Sequence, residues 1–91
     1  METKELYEDL FVIDSDMVRA FLIRGKDEAL LIDALFEKDH ILDEVKKITD
    51  KPLKLVLTHG DKDHSEGAIY FKECFLHEKD FELLDPRIRK Y

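Results

Sequence analysis

The order of apolar and polar residues changes rhythm near residue 34, and before that point it alternates as strands do. Leu10-Phe11-Val12-Ile13 is a short apolar run closed by the turn cluster Asp14-Ser15-Asp16. Met17 to Arg24 sets Val18, Ala20 and Leu22 against Arg19, Phe21 and Ile23, which predicts a strand that is apolar on nearly both faces. Gly25-Lys26-Asp27 reads as a hairpin turn and Glu28 to Asp33 as the returning strand, so this region is an antiparallel meander. The residues before Leu10 carry no such alternation and read as a helix-compatible or frayed start.

From Glu37 to Thr49 the spacing becomes helical. Ile41, Leu42, Val45 and Ile48 share one face, and Asp39, Asp43, Glu44, Lys46 and Lys47 occupy the other. Asp50-Lys51-Pro52 stops that helix. Leu53 to Leu57 predicts a buried strand, and reaching it by a strand–helix–strand crossover implies a parallel neighbour. Thr58 to His64 is a polar loop, and Ser65 is the expected N-cap of a short helix through Lys72. Cys74 to His77 reads as a short strand and Glu78 to Leu84 as a last helix, ended by Asp85-Pro86. The order predicts an α/β (α+β) layer structure, a β-meander followed by βαβαβα.

Composition narrows the class. The 91 residues make one domain spanning 1–91. A domain of that size buries roughly 60–65% of its unfolded surface, so its core is small. A hydrophobic share of 44% places the chain among globular rather than disordered sequences. No apolar run approaches the roughly 18 residues of a membrane span, so no membrane partner is expected. The acidic start METKELYED is not a secretory signal, and the single Cys74 excludes a disulfide framework or a Cys-only zinc site. Both point to the reducing cytoplasm. A net charge of −7 argues against nucleic acid as a partner while leaving room for a local metal site.

One segment stands apart chemically: Thr58-His59-Gly60-Asp61-Lys62-Asp63-His64, directly after the buried strand. Two imidazoles and two carboxylates fall within six consecutive residues, at the carboxyl end of a strand where open α/β sheets bind ligands. Extended backbone can aim His59, Asp61 and Asp63 to one side, with His64 approaching from the turn into the helix. Imidazole nitrogen and carboxylate oxygen together suit zinc, manganese or iron, and such a cation lowers the pKa of a coordinated water toward neutrality. The same residues are also common in plain loops, where Asp63 or Ser65 would simply cap the next helix.

The loop resembles the metal-binding motif of the metallo-β-lactamase superfamily, Thr-His-x-His-x-Asp-His followed by a helix carrying Gly. Thr58, His59, Asp63, His64 and Gly67 stand in matching places. Upstream, Leu31-Ile32-Asp33 resembles the end of the family's meander, and His77-Glu78 resembles a pair found downstream. Three positions depart from the pattern. Asp61 replaces the second His, as in a His-x-Asp-x-Asp-His variant of some branches, and shifts preference away from zinc toward manganese, iron or magnesium. Ala34-Leu35 replaces Thr-Gly, and Glu66 replaces the first of two glycines.

The resemblance implies the first half of a four-layer αββα sandwich. It also implies a metal-dependent hydrolase acting on esters, thioesters or phosphoesters. His59 and Asp61 would face one metal and Asp63 and His64 a second, with Asp63 orienting the attacking water. The family's later ligands have no counterpart in this sequence, so each metal would have two of these ligands, giving weak binding and little turnover by the chain alone. Its Asp33 equivalent steadies the metal loop, although Asp33 at a strand end is also a natural turn-former.

Strands apolar on both faces expect cover on both. A homodimer of face-to-face halves, or a partner supplying the missing half, would provide it. The second reading is therefore a non-catalytic half-domain that dimerises or binds a partner. Of the remaining residues, His77 reads as a capping residue, His40 as partly exposed, and Cys74 as a buried hydrophobe. Phe71, Phe75 and Phe81 read as core or interface, and Arg87, Arg89 and Lys90 as a solvated basic tail.

Overall fold

Backbone pairing begins earlier than the apolar pattern does. In the computed structural model, which describes residues 1–88, Glu2–Tyr7 is a strand, β1, rather than a helical or frayed start. It pairs antiparallel with β2, Leu10–Ser15. Its side chains are nearly all exposed, so backbone hydrogen bonds and the Thr3 hydroxyl donating to Glu44 at 2.6 Å hold it, not burial. Asp9 and Asp16, at φ 62° and 54°, close the turns on either side of β2, a left-handed conformation that Asp tolerates.

β3, Val18–Arg24, and β4, Ala29–Ile32, complete the meander around the expected turn, where Gly25 N–H donates to Glu28 O at 2.9 Å. β5, Leu53–Val56, then joins β4 in parallel, giving one five-stranded sheet in sequence order. The row Phe11–Leu22–Leu31–Leu55 crosses the inner face of this sheet. These residues are buried with Ile41 and Val45 of α1, Ile41–Ile48. Burying each such Leu or Ile side chain stabilises the fold by about 1.5–3 kcal/mol.

The predicted helix over 37–49 is divided. Glu37–Asp39 is a 3-10 turn, and His40, at φ 49° and ψ 51°, reorients the chain before α1 begins. The strand expected over 74–77 reduces to a single parallel bridge between Val56 and Phe75. Its two bonds, Leu57 N–H to Phe75 O and Phe75 N–H to Leu55 O, use the backbone of Phe75 alone. The last helix is a 3-10 segment, Glu78–Leu83, and the His77 side chain caps it by accepting from Lys79 N–H. Cys74 is buried, and that burial pushes its thiol pKa up, away from nucleophilic use.

Arg87 does not sit in a free tail. It binds Glu37 and Asp85 at 2.7 Å each and holds the Asp85 carboxyl down at about 2. Arg89 and Lys90 of the expected basic tail lie outside the described residues. Among the described residues no helix is long and apolar enough to cross a membrane.

Candidate metal centre

β4 and β5 run parallel, so their carboxyl ends lie side by side, and the candidate site is built there. The chain leaves β4 at Asp33, buried at φ 71°, and leaves β5 into Thr58 and His59. The next element, α2 (Lys62–Ser65), starts three residues before the expected N-cap at Ser65. Ser65 does not cap it. Its buried hydroxyl donates instead to Gly60 O at 2.9 Å. Asp63 and His64 are therefore helical, within one turn, and not part of an extended loop.

A single buried carboxylate organises both imidazoles. Asp33 Oδ1 accepts from Thr58 N–H at 2.8 Å, and Asp33 Oδ2 lies 2.8 Å from the Thr58 hydroxyl and 3.0 Å from His64 Nδ1. Thr58 Oγ1 in turn lies 2.8 Å from His59 Nδ1. Proton positions follow from these partners. A carboxylate only accepts, so His64 Nδ1 carries a proton. The one hydroxyl proton of Thr58 goes to Asp33, so Thr58 accepts from His59 Nδ1–H. Each ring is thereby held through Nδ1 by a hydrogen bond behind it, and in the neutral ring that arrangement leaves Nε2 as the lone pair a metal ligand needs.

The rings lie 4.3 Å apart between centroids. Among the described residues His59, Asp63 and His64 form a group whose ligand atoms all lie within 4.8 Å of one another. Asp61 Oδ2 stands beside this group, 3.5 Å from His59 Nε2, with its side chain 67% exposed against 25% for His64. The resemblance divides the four residues into two pairs, whereas the structure draws three of them together. Two nitrogens and one carboxylate oxygen suit a divalent cation, and three protein ligands leave a coordination position for water or substrate.

Two backbone bonds stitch this corner to the meander: Ala34 N–H to His64 O at 2.7 Å and Gly67 N–H to Leu35 O at 2.9 Å. Leu35 takes the place of the family's glycine and adopts a left-handed φ of 60° while its side chain is fully buried. One contributor had no signal in the sequence: Asp80, whose Oδ2 accepts from Gly60 N–H at 2.9 Å.

With this geometry in place, the sequence pattern of the metallo-beta-lactamase superfamily matches residues 13–75. The chain belongs to that superfamily. Solved structures agree on the fold. A motif mutant of a metallo-beta-lactamase from Cronobacter sakazakii superposes with a TM-score of 0.77 at 13% identity, over 90% of this chain and 36% of its own. DIM-1 metallo-beta-lactamase gives 0.74 at 15% identity, over 90% and 44%. A metallo-beta-lactamase from Erythrobacter litoralis gives 0.70 at 18%, over 89% and 43%. This metallo-beta-lactamase-type chain thus spans less than half the length of each of these three. No curated protein matches its sequence.

Proposed function

We propose that the chain is a metal-dependent hydrolase-type domain whose cation site is built from His59, Asp61, Asp63 and His64. The observation that carries this reading is the pair of imidazoles held through Nδ1 from one buried carboxylate, each offering a ligand atom within 4.8 Å of one on Asp63. A loop that merely capped a helix would have no use for two preset imidazoles. A divalent cation held there, zinc or, given Asp61, manganese or iron, would polarise a carbonyl or phosphoryl oxygen and acidify a bound water. Asp63, with its side chain 41% exposed, is the ligand that can also orient the attacking water and take its proton. The substrate class proposed is an ester, thioester or phosphoester. The family's later ligands have no counterpart among these four residues, so binding by this chain alone is weak.

Native mass spectrometry with zinc or manganese, before and after a chelator, tests the site. The expected result is stoichiometric metal that the chelator removes. Metal-dependent cleavage of a nitrophenyl ester or phosphodiester should disappear in Asp63→Ala. Turnover that persists in that variant would sink the assignment.

A second reading rests on the outer face of the sheet. The row Val12–Phe21–Ile32–Val56–Phe75 crosses it, with Ile23 and Leu30 alongside. Ile23 and Phe75 are 41% and 48% exposed, more than a covered face allows. The rim carries both signs, Arg19 on Asp14 and Lys54 on Glu28, so a second copy can face it without the repulsion a net charge of −7 would otherwise bring. We propose a homodimer through this face, in the cytoplasm, with or without catalysis. Ile23→Lys should then yield a folded monomer in analytical ultracentrifugation, and an unchanged dimer would place the interface elsewhere.

A further inference from the structure

Gly60 separates His59 from the helix that carries Asp63 and His64, so its conformation sets the angle between the two parts of the ligand group. Both of its backbone groups are taken by side chains. The N–H goes to Asp80 Oδ2 and the C=O to the Ser65 hydroxyl, each at 2.9 Å. Gly60 is buried, so an N–H left without an acceptor would cost free energy instead of turning to water. The approach is close by design of the sequence. A Cβ at position 60 would lie 2.8 Å from Leu83 Cβ and 2.9 Å from Asp80 O, so only glycine lets the loop rest on the 3-10 segment.

The chain on either side of Gly60 is held by other means. His59 is tied through Thr58 to Asp33, and α2 is tied through His64 O to Ala34 N–H. Asp80 reaches the point between these anchors, from twenty residues further along the chain. The 3-10 segment that carries it is fixed in turn by the His77 cap and by Leu84, buried in the core. An acidic residue in the first turn of a helix commonly serves its own backbone amides, but the carboxylate of Asp80 points across to the loop.

We infer that Asp80 is a positioning residue for the candidate metal site: its carboxylate fixes Gly60 and through it the spread between His59 and the Asp63–His64 pair. This inference rests on the proposed metal site and adds a residue to it that no ligand pattern identifies. Asp80 is not in the candidate ligand group. Its effect passes through one hydrogen bond to one backbone amide.

Cobalt(II) alone is the probe, titrated into metal-stripped protein and followed by its visible absorption bands, which report ligand geometry. Wild-type protein should bind with a defined spectrum. Asp80→Ala should bind about tenfold more weakly with an altered band shape, the lower end of what outer partners of metal ligands contribute. Asp80→Asn keeps a carbonyl oxygen that can accept from Gly60 N–H, and should restore affinity to within about threefold of wild type, as one preserved hydrogen bond predicts. Wild-type affinity and spectrum in Asp80→Ala would overturn the inference, as would an Asn variant as impaired as the Ala one.

Absence of cobalt binding by wild type would remove the metal site itself, and the inference with it. Should Asp80→Ala not fold, amide exchange in wild-type protein decides. Gly60 N–H should exchange slowly and slow further with cobalt. Exchange as fast as in an open loop would overturn the role.

Discussion

Replacing Asp33 by alanine is expected to cost about 3 kcal/mol of folding stability and to weaken zinc or manganese binding roughly tenfold to a hundredfold. The first number follows from what is left behind. Thr58 N–H and His64 Nδ1–H would face the space vacated by a buried carboxylate, and each unsatisfied donor costs about 1–3 kcal/mol. The second follows from the tautomers. Without the acceptor behind them, His64 and, through Thr58, His59 lose the Nδ1 hydrogen bonds that fix the two rings beside Asp63.

Thermal unfolding and calorimetric metal titration read the two effects separately. Asp33→Asn sharpens the result, because asparagine suits the left-handed φ of 71° and keeps one acceptor oxygen. It should recover most of the stability but only part of the affinity. A variant that lost stability and kept full affinity would reduce Asp33 to a turn-former.

Gly67→Ala is expected to be as severe through sterics alone. A Cβ at that position would come within 2.0 Å of Ala34 O, far inside any contact that atoms tolerate. The backbone must move, and the atoms that would have to separate are those that join α2 to the meander, Gly67 N to Leu35 O and His64 O to Ala34 N. Overpacking at a backbone contact of this kind costs about 3 kcal/mol. For a domain of this size that lowers the midpoint of thermal unfolding by roughly 15 °C. Differential scanning calorimetry checks it. A midpoint within a few degrees of wild type would show that the α2 corner yields at little cost, and the site would then be looser than its hydrogen bonds imply.

The cluster of ligand-type side chains was legible because those residues fall within six consecutive positions and follow a strand that reads as buried. The partnership of Asp33 with that loop became readable only through the family resemblance, since the two are 25 residues apart and meet through parallel pairing. β1 was not legible. Glu-Thr-Lys-Glu-Leu-Tyr buries almost nothing, and an edge strand held by backbone bonds leaves no apolar period to read. Ser65 misled because a hydroxyl that precedes a helical stretch is the usual cap, and here it serves Gly60 O instead. The break at His40 and the left-handed Leu35 are tertiary choices. The buried side chain of Leu35 holds a conformation its own backbone disfavours by about 1–2 kcal/mol. Asp80 is invisible for the plainest reason: one Asp among many in an acidic chain, with its partner set only by the fold.

Parallel pairing of β4 and β5 also has a consequence for the order in which the molecule comes together. Hairpins between consecutive strands close across a few residues, whereas β4 and β5 can zip only after α1 has folded back across the gap between them. Asp33 and Thr58 meet at the far end of that pairing, so the hydrogen bonds behind His59 and His64 require it to be complete. Before that pairing the candidate ligands are already close in sequence but lack the Asp33 carboxylate behind them. Under the proposed function, a cation seated at this site would act as a clasp across the crossover between β4 and β5, and its uptake would report that their pairing is complete.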